Sequence, residues 1–145
     1  MNILFFLTPK RDVDYIYDDS TLRQAMEKME SHGHSAIPVL NRDGGYIGSL
    51  SEGDILRALK ENHDWDLQSA ETIRVSQIPQ HRHFSSVTVN SRMEDLIDVA
   101  WSQNYVPVVD DADIFIGLVT RKDIFRHCYH EVLRLKFKLR DCSEK

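Results

Sequence analysis

The chain has 145 residues, 41% of them hydrophobic and 28% charged, and its 18 Lys+Arg against 23 Asp+Glu give a formal net charge of -5. That length can close one compact domain or two small packed ones without metals or disulfides, and the composition argues against disorder and against a coiled coil. An acidic chain has no general attraction for phosphate polymers, which excludes nonspecific nucleic-acid binding. Two cysteines, Cys128 and Cys142, make no disulfide framework.

In chain order, the first apolar run is Ile3-Leu4-Phe5-Phe6-Leu7. It is too short to cross a bilayer and has no basic lead or cleavage site. A soluble, cytoplasmic protein that makes no membrane contact is expected, with this run packed on its own body as strand or helix. Leu22, Ala25, Met26 and Met29 follow at the spacing of one helix face, with Ser20 in N-cap position. Ile37-Pro38-Val39-Leu40 reads as a buried strand. A polar turn, Asn41 to Gly45, leads back into Tyr46-Ile47-Gly48-Ser49-Leu50 as a hairpin. A helix entered at Ser51-Glu52-Gly53-Asp54-Ile55 completes the unit. Residues 61–77, with Trp65, Leu67 and Ile73, read as a partly helical connection.

The same series then recurs. Pro9 and Pro38 reappear as Pro79 and Pro107, offset by 70 and 69 residues. Met93, Leu96, Ile97 and Ala100 repeat the helix face, with Ser91 and Glu94 as an expected capping box. Val106-Pro107-Val108-Val109, the turn around Asp110, Asp111 and Asp113, Phe115 to Val119, and Thr120-Arg121-Lys122-Asp123-Ile124 repeat the rest. From Pro38 to Ile55 the copies align without a gap, and 6 of 18 positions are identical. Units of about 55 residues bury too little alone, so the expected fold is α+β: two strand-helix-strand-strand-helix repeats, 1–68 and 69–145, packed pseudo-symmetrically into one module.

Paired units with an aliphatic-Pro-Val strand and a Gly-x-x-(Ser/Thr)-x-x-Asp-Ile step resemble a tandem pair of CBS domains, a Bateman module, over Thr8 to Val132. The resemblance implies a stand-alone regulatory protein, not an enzyme. Such a protein needs no cofactor, binds an adenosine-containing nucleotide between its repeats and signals to a separate partner. The nucleotide could be AMP, ADP, ATP, cyclic di-AMP or S-adenosylmethionine. It further implies a disc-shaped homodimer built on helical faces such as those of Met26 with Met29 and Ile97 with Ala100. The implied adenine pockets are formed by Val13, Ile37 and Pro38, and by Ser86, Val106 and Pro107.

The motif's chemistry suits such a ligand. A carboxylate such as Asp123 accepts charge-assisted hydrogen bonds from ribose hydroxyls. Thr120 and the free N–H groups of a helix N-terminus suit a phosphate, and Arg121 and Lys122 add positive charge. The same residues could simply cap the helix. In the first copy Ser51 and Asp54 keep the pair, but Glu52 and Gly53 replace the cations, so that site is expected to be weaker, selective for less charge, or empty.

Arg82 and His83 are candidates for a phosphate contact from the connecting segment. The histidine pairs His32/His34, His81/His83 and His127/His130 lack the carboxylates or thiols that would complete a metal site. The aspartates at 110, 111 and 113 are explained by turn chemistry. Trp65 and Trp101 are expected in core or interface. Residues 133–140 alternate apolar and basic, which reads either as a strand or as a continuation of the last helix. The competing function is an interaction module with an empty cleft that binds its partner through this basic segment.

Overall fold

The computed structural model describes residues 2–144. Its strands are β1 (Thr8–Pro9), β2 (Ile16–Tyr17), β3 (Ala36–Leu40), β4 (Tyr46–Ser51), β5 (Val87–Thr88), β6 (Tyr105–Val109) and β7 (Phe115–Thr120). Its helices are α1 (Leu22–His32), α2 (Glu52–Glu61), α3 (Met93–Ala100) and α4 (Arg121–Ser143). One sheet runs β2-β3-β4 and the other β1-β7-β6-β5. In each, a parallel pair (β2 with β3, β5 with β6) leads into an antiparallel hairpin. This is the expected α+β duplication, and none of the helices is long and apolar enough to cross a membrane among the described residues.

The hairpins share one turn chemistry. Asn41 Oδ1 accepts from the N–H groups of Asp43 and Gly45, and Asp110 Oδ1 from those of Ala112 and Ile114. Side-chain acceptors at the first turn position nucleate both bends. The left-handed position falls to Gly44 in one copy and to Asp113 in the other. The two tips bond to each other, Phe115 N–H to Gly44 O and Tyr46 N–H to Asp113 O, so the pseudo-twofold axis passes between them.

Helix starts fall one residue later than the sequence suggests. Thr21, not Ser20, caps α1, because Gln24 sits where its amide can accept from the Thr21 N–H while its own N–H bonds the hydroxyl. At α3 the cap is Arg92, whose N–H donates to Asp95; Ser91 instead accepts from Thr88.

Lead-in segments cross between units. Ile3, in a short 3-10 turn (Ile3–Phe6), is buried in the second repeat's core, and β1 pairs with β7 of the second sheet. Reciprocally, Ala70, Ile73, Val75 and Ile78 complete the first repeat's core around Leu22, Met29 and Leu50. A cut between residues 68 and 69 therefore does not separate the packed bodies. The helical faces expected to dimerise turn inward: Met29 and Ala100 are buried, and Met26 and Ile97 pack against the cores. Trp65 is partly buried on the first core, whereas Trp101, expected in core or interface, is 79% exposed at the end of α3.

Candidate functional site

Two clefts lie between the repeats, each with the N-terminus of a unit's last helix at its edge. In the first copy Ser51 caps α2 and Asp54 completes the capping box. The Ser51 hydroxyl accepts from the Asp54 N–H at 3.1 Å, and Asp54 Oδ2 accepts from the Ser51 N–H at 3.0 Å. The other carboxylate oxygen accepts from the His81 N–H at 2.9 Å. Asp54 is 3% exposed, so both its oxygens are engaged.

The segment around His81 fills this cleft. The Gln80 amide lies against Gly48, and Phe84 packs on Tyr105 with ring centroids 5.3 Å apart. The Gln103 amide holds both the N–H and the carbonyl of Ser85. Beneath them, Ser49 links the hydroxyls of Tyr46 and Tyr105, and Tyr46 donates to the Phe84 carbonyl. Loss of water pushes the Tyr46 phenol up to about 12 and Tyr105 well above its ordinary value.

The opposite cleft is open. A cavity of about 360 Å³ is lined by Thr8, Val13, His34, Pro38, Leu118 and Thr120, among others. At its rim Asp14 accepts from His34 at 2.9 Å and lies 3.3 Å from His32. A second hollow of about 360 Å³ holds Asp123 with Arg126, His127 and His130 and the backbone run Phe5 to Thr8. Thr8 borders both.

Here the capping box is half-made. The Asp123 N–H donates to the Thr120 hydroxyl at 3.1 Å, but the carboxylate makes only a 3.4 Å contact to Arg126, and the side chain is 30% exposed. The same motif therefore gives a saturated, buried carboxylate in one copy and an accessible one in the other.

Several expected site residues lie elsewhere. Ile37 and Val106 are fully buried in the two cores and line neither open hollow; adjacent strand residues face opposite sides, so Ile37 does not share the cavity with Pro38. Pro107 is also buried, and Ser86 is exposed. Arg121 does not reach toward a phosphate position; its guanidinium donates to the Ala100 carbonyl at 3.0 Å, closing the end of α3. Lys122 is exposed beside Asp123. Arg82 and His83 are exposed and line neither open hollow.

Sequence reasoning missed Arg126 and assigned His127 and His130 to no phosphate role. All three lie three, four and seven residues beyond Asp123, a spacing that puts them on its side of the helix. Among the described residues no three His, Cys, Asp or Glu side chains are grouped to hold a metal.

Two repeats clasped about a pseudo-twofold axis, with one open and one filled cleft, define a tandem-repeat module. The chain belongs to the CBS-domain family, whose model matches residues 6–61 and 75–130. An uncharacterised protein of Methanocaldococcus jannaschii is 24% identical over 140 residues, covering 75% of this chain and 82% of its own. The structure of Listeria monocytogenes CbpB in complex with c-di-AMP matches with a TM-score of 0.77 at 21% identity, over 90% of this chain and 96% of that one. CBSX2 in complex with AMP matches with a TM-score of 0.69 at 22% identity, over 89% and 96% of the two chains. These structural likenesses establish the common fold.

Proposed function

We propose that the protein is a non-catalytic regulatory module that binds an adenosine nucleotide in its open inter-repeat cleft. The observation that carries this reading is the asymmetry between Asp54, with both oxygens taken, and Asp123, accessible beside an open inter-repeat cavity. In this reading Val13, Pro38 and Leu118 sandwich the adenine, an apolar slot of suitable size. Asp123 accepts from the ribose hydroxyls. Thr120 and the α4 N-terminus meet the phosphates, aided by Lys122, Arg126, His127 and His130. Related folds solved with AMP and with c-di-AMP support a nucleotide of this class.

Occupancy bridges the two repeats and so changes the affinity of a surface that spans them for a separate partner. Linkage requires that the partner change nucleotide affinity by the same factor.

Thermal unfolding with AMP, ADP, ATP, cyclic di-AMP and S-adenosylmethionine tests the assignment. A ligand at a hundred times its dissociation constant adds about 2.7 kcal/mol, which raises the midpoint by roughly 5–10 °C in a chain of this size. The shift is expected with one of them, at one site per chain by calorimetry, and is lost in Asp123→Ala. No shift in folded, nucleotide-free protein, or a shift unchanged in Asp123→Ala, refutes the reading.

A further inference from the structure

Tyr105 opens β6 directly across the sheet from Thr120, the N-cap of α4, and lines the open cavity with it. The same residue supports the segment that fills the opposite cleft, because the Phe84 ring packs on its ring. One side chain is thus a wall of the open cleft and a seat for the plug of the closed one.

Two further links tie Tyr105 to that plug. The Phe84 carbonyl can only accept, so the Tyr46 hydroxyl donates to it, at 3.3 Å. Tyr46 has one proton and must therefore accept from Ser49, at 2.9 Å, and Ser49 in turn accepts from Tyr105. The last acceptor fixes the order of donors along the whole chain, Tyr105 to Ser49 to Tyr46 to Phe84, and each bond polarises the next. The second link is Gln103, which is buried. Its amide N–H groups donate to the carbonyls of Tyr105 and Ser85, each at 3.0 Å, while its carbonyl accepts from the Ser85 N–H.

Residues 80–85 contain neither helix nor strand. Their position rests on these contacts, on Gln80 against Gly48 and on the His81 N–H bonded to Asp54. A segment held this way opens at a lower free energy than the sheets beneath it. Its tip, His81, Arg82 and His83, is exposed. Opening withdraws the Phe84 ring from Tyr105 and the final acceptor from the hydroxyl chain, which loosens a wall of the open cavity. A ligand packed on that wall binds the docked arrangement more tightly, and such a difference is what lets a ligand shift an equilibrium.

We propose, building on the nucleotide reading above, that residues 80–85 are the output element of the open cleft: a nucleotide packed against Tyr105 holds them docked, and the exposed tip from His81 to His83 presents that state to the partner.

The test is NMR amide hydrogen exchange of the full chain with AMP, ADP, ATP, cyclic di-AMP and S-adenosylmethionine, each in excess. The His81 and Ser85 N–H groups report docking, since their acceptors are Asp54 and Gln103; Val13 reports the open cavity. A compound that protects Val13 is expected to slow exchange at His81 and Ser85 by the coupling factor, on the order of fivefold or more. Tyr46→Phe, which cuts the hydroxyl chain outside the open cavity, should keep the protection at Val13 and reduce the slowing at His81 and Ser85. Adding Phe84→Ala, which also removes the ring from Tyr105, should reduce it further. Protection of Val13 with no change at His81 and Ser85 in the wild type, or equal slowing in wild type and Tyr46→Phe, overturns the coupling and leaves the nucleotide site standing. Protection of neither region by any of the five compounds overturns both.

Discussion

Asp54 and Asp123 occupy equivalent positions, and their replacement by alanine should have opposite consequences. Asp54→Ala removes a carboxylate that accepts from two backbone N–H groups at 3.0 and 2.9 Å in a site closed to water. Hydrogen bonds to a charged group contribute about 1.5–3 kcal/mol each, and a stranded buried donor costs a further penalty. Allowing for relaxation of the 80–85 segment, a loss of about 3 kcal/mol is expected, or roughly 6–12 °C in the unfolding midpoint of a chain this size.

Asp123→Ala removes a carboxylate that is 30% exposed and makes one long contact to Arg126. An exposed ion pair and its interaction with the helix dipole together are worth under about 1 kcal/mol. The assay is urea unfolding of both variants without nucleotide, followed by the same melts with whichever adenosine ligand shifts the wild type. Asp54→Ala should be unstable yet retain the ligand shift; Asp123→Ala should be stable and lack it. Asp54→Asn, which keeps one acceptor, should fall between wild type and Asp54→Ala. Equal destabilisation by the two alanine substitutions would refute the claim that one cleft is structurally sealed.

The two glycines of the equivalent β4 and β7 strands should also differ. A Cβ on Gly117 would overlap the Thr8 carbonyl of the backbone, whereas one on Gly48 would meet the movable Gln80 amide. Gly117→Ala is expected to cost about 2–3 kcal/mol in urea unfolding and to raise amide exchange in residues 2–9, and Gly48→Ala about 1 kcal/mol. Alkali should destabilise the fold through Tyr46. Unfolded, its phenol ionises near 10, but folded only near 12. Between those values the unfolded state binds fewer protons, so stability is complete below pH 10 and falls by roughly 3 kcal/mol up to pH 12. Urea midpoints measured across that window should decline, and less steeply in Tyr46→Phe.

The repeat, its helices and its hairpins were readable because each rests on local periodicity: paired prolines, i, i+3, i+4 faces, and turn acceptors at Asn41 and Asp110. What lay beyond reading depends on neighbours distant in sequence. Arg121 looked like a phosphate ligand because its partner, the Ala100 carbonyl, is supplied by the end of another helix. Closure of the Asp54 cleft depends on where Gln80 to Phe84 fold back, and nothing local to Ser51 or Asp54 encodes that. The alternation of residues 133–140 suited a strand equally well. The helix continues because Leu, Lys and Arg favour it and neither Gly nor Pro interrupts it before Ser143.

The crossing of the lead-in segments bears on how such a chain could have arisen. Residues around Ile3 seal the core of the second unit, and Ala70 to Ile78 seal that of the first. A half-length ancestor with one unit would have had nothing of its own to cover that core. It could have closed only by trading arms with a twin, each donating its leading residues to the other. Gene fusion would then have converted a reciprocal exchange between two chains into the covalent duplicate seen here. It would also have freed the halves to diverge, so that one cleft could be stopped up while the other stayed open.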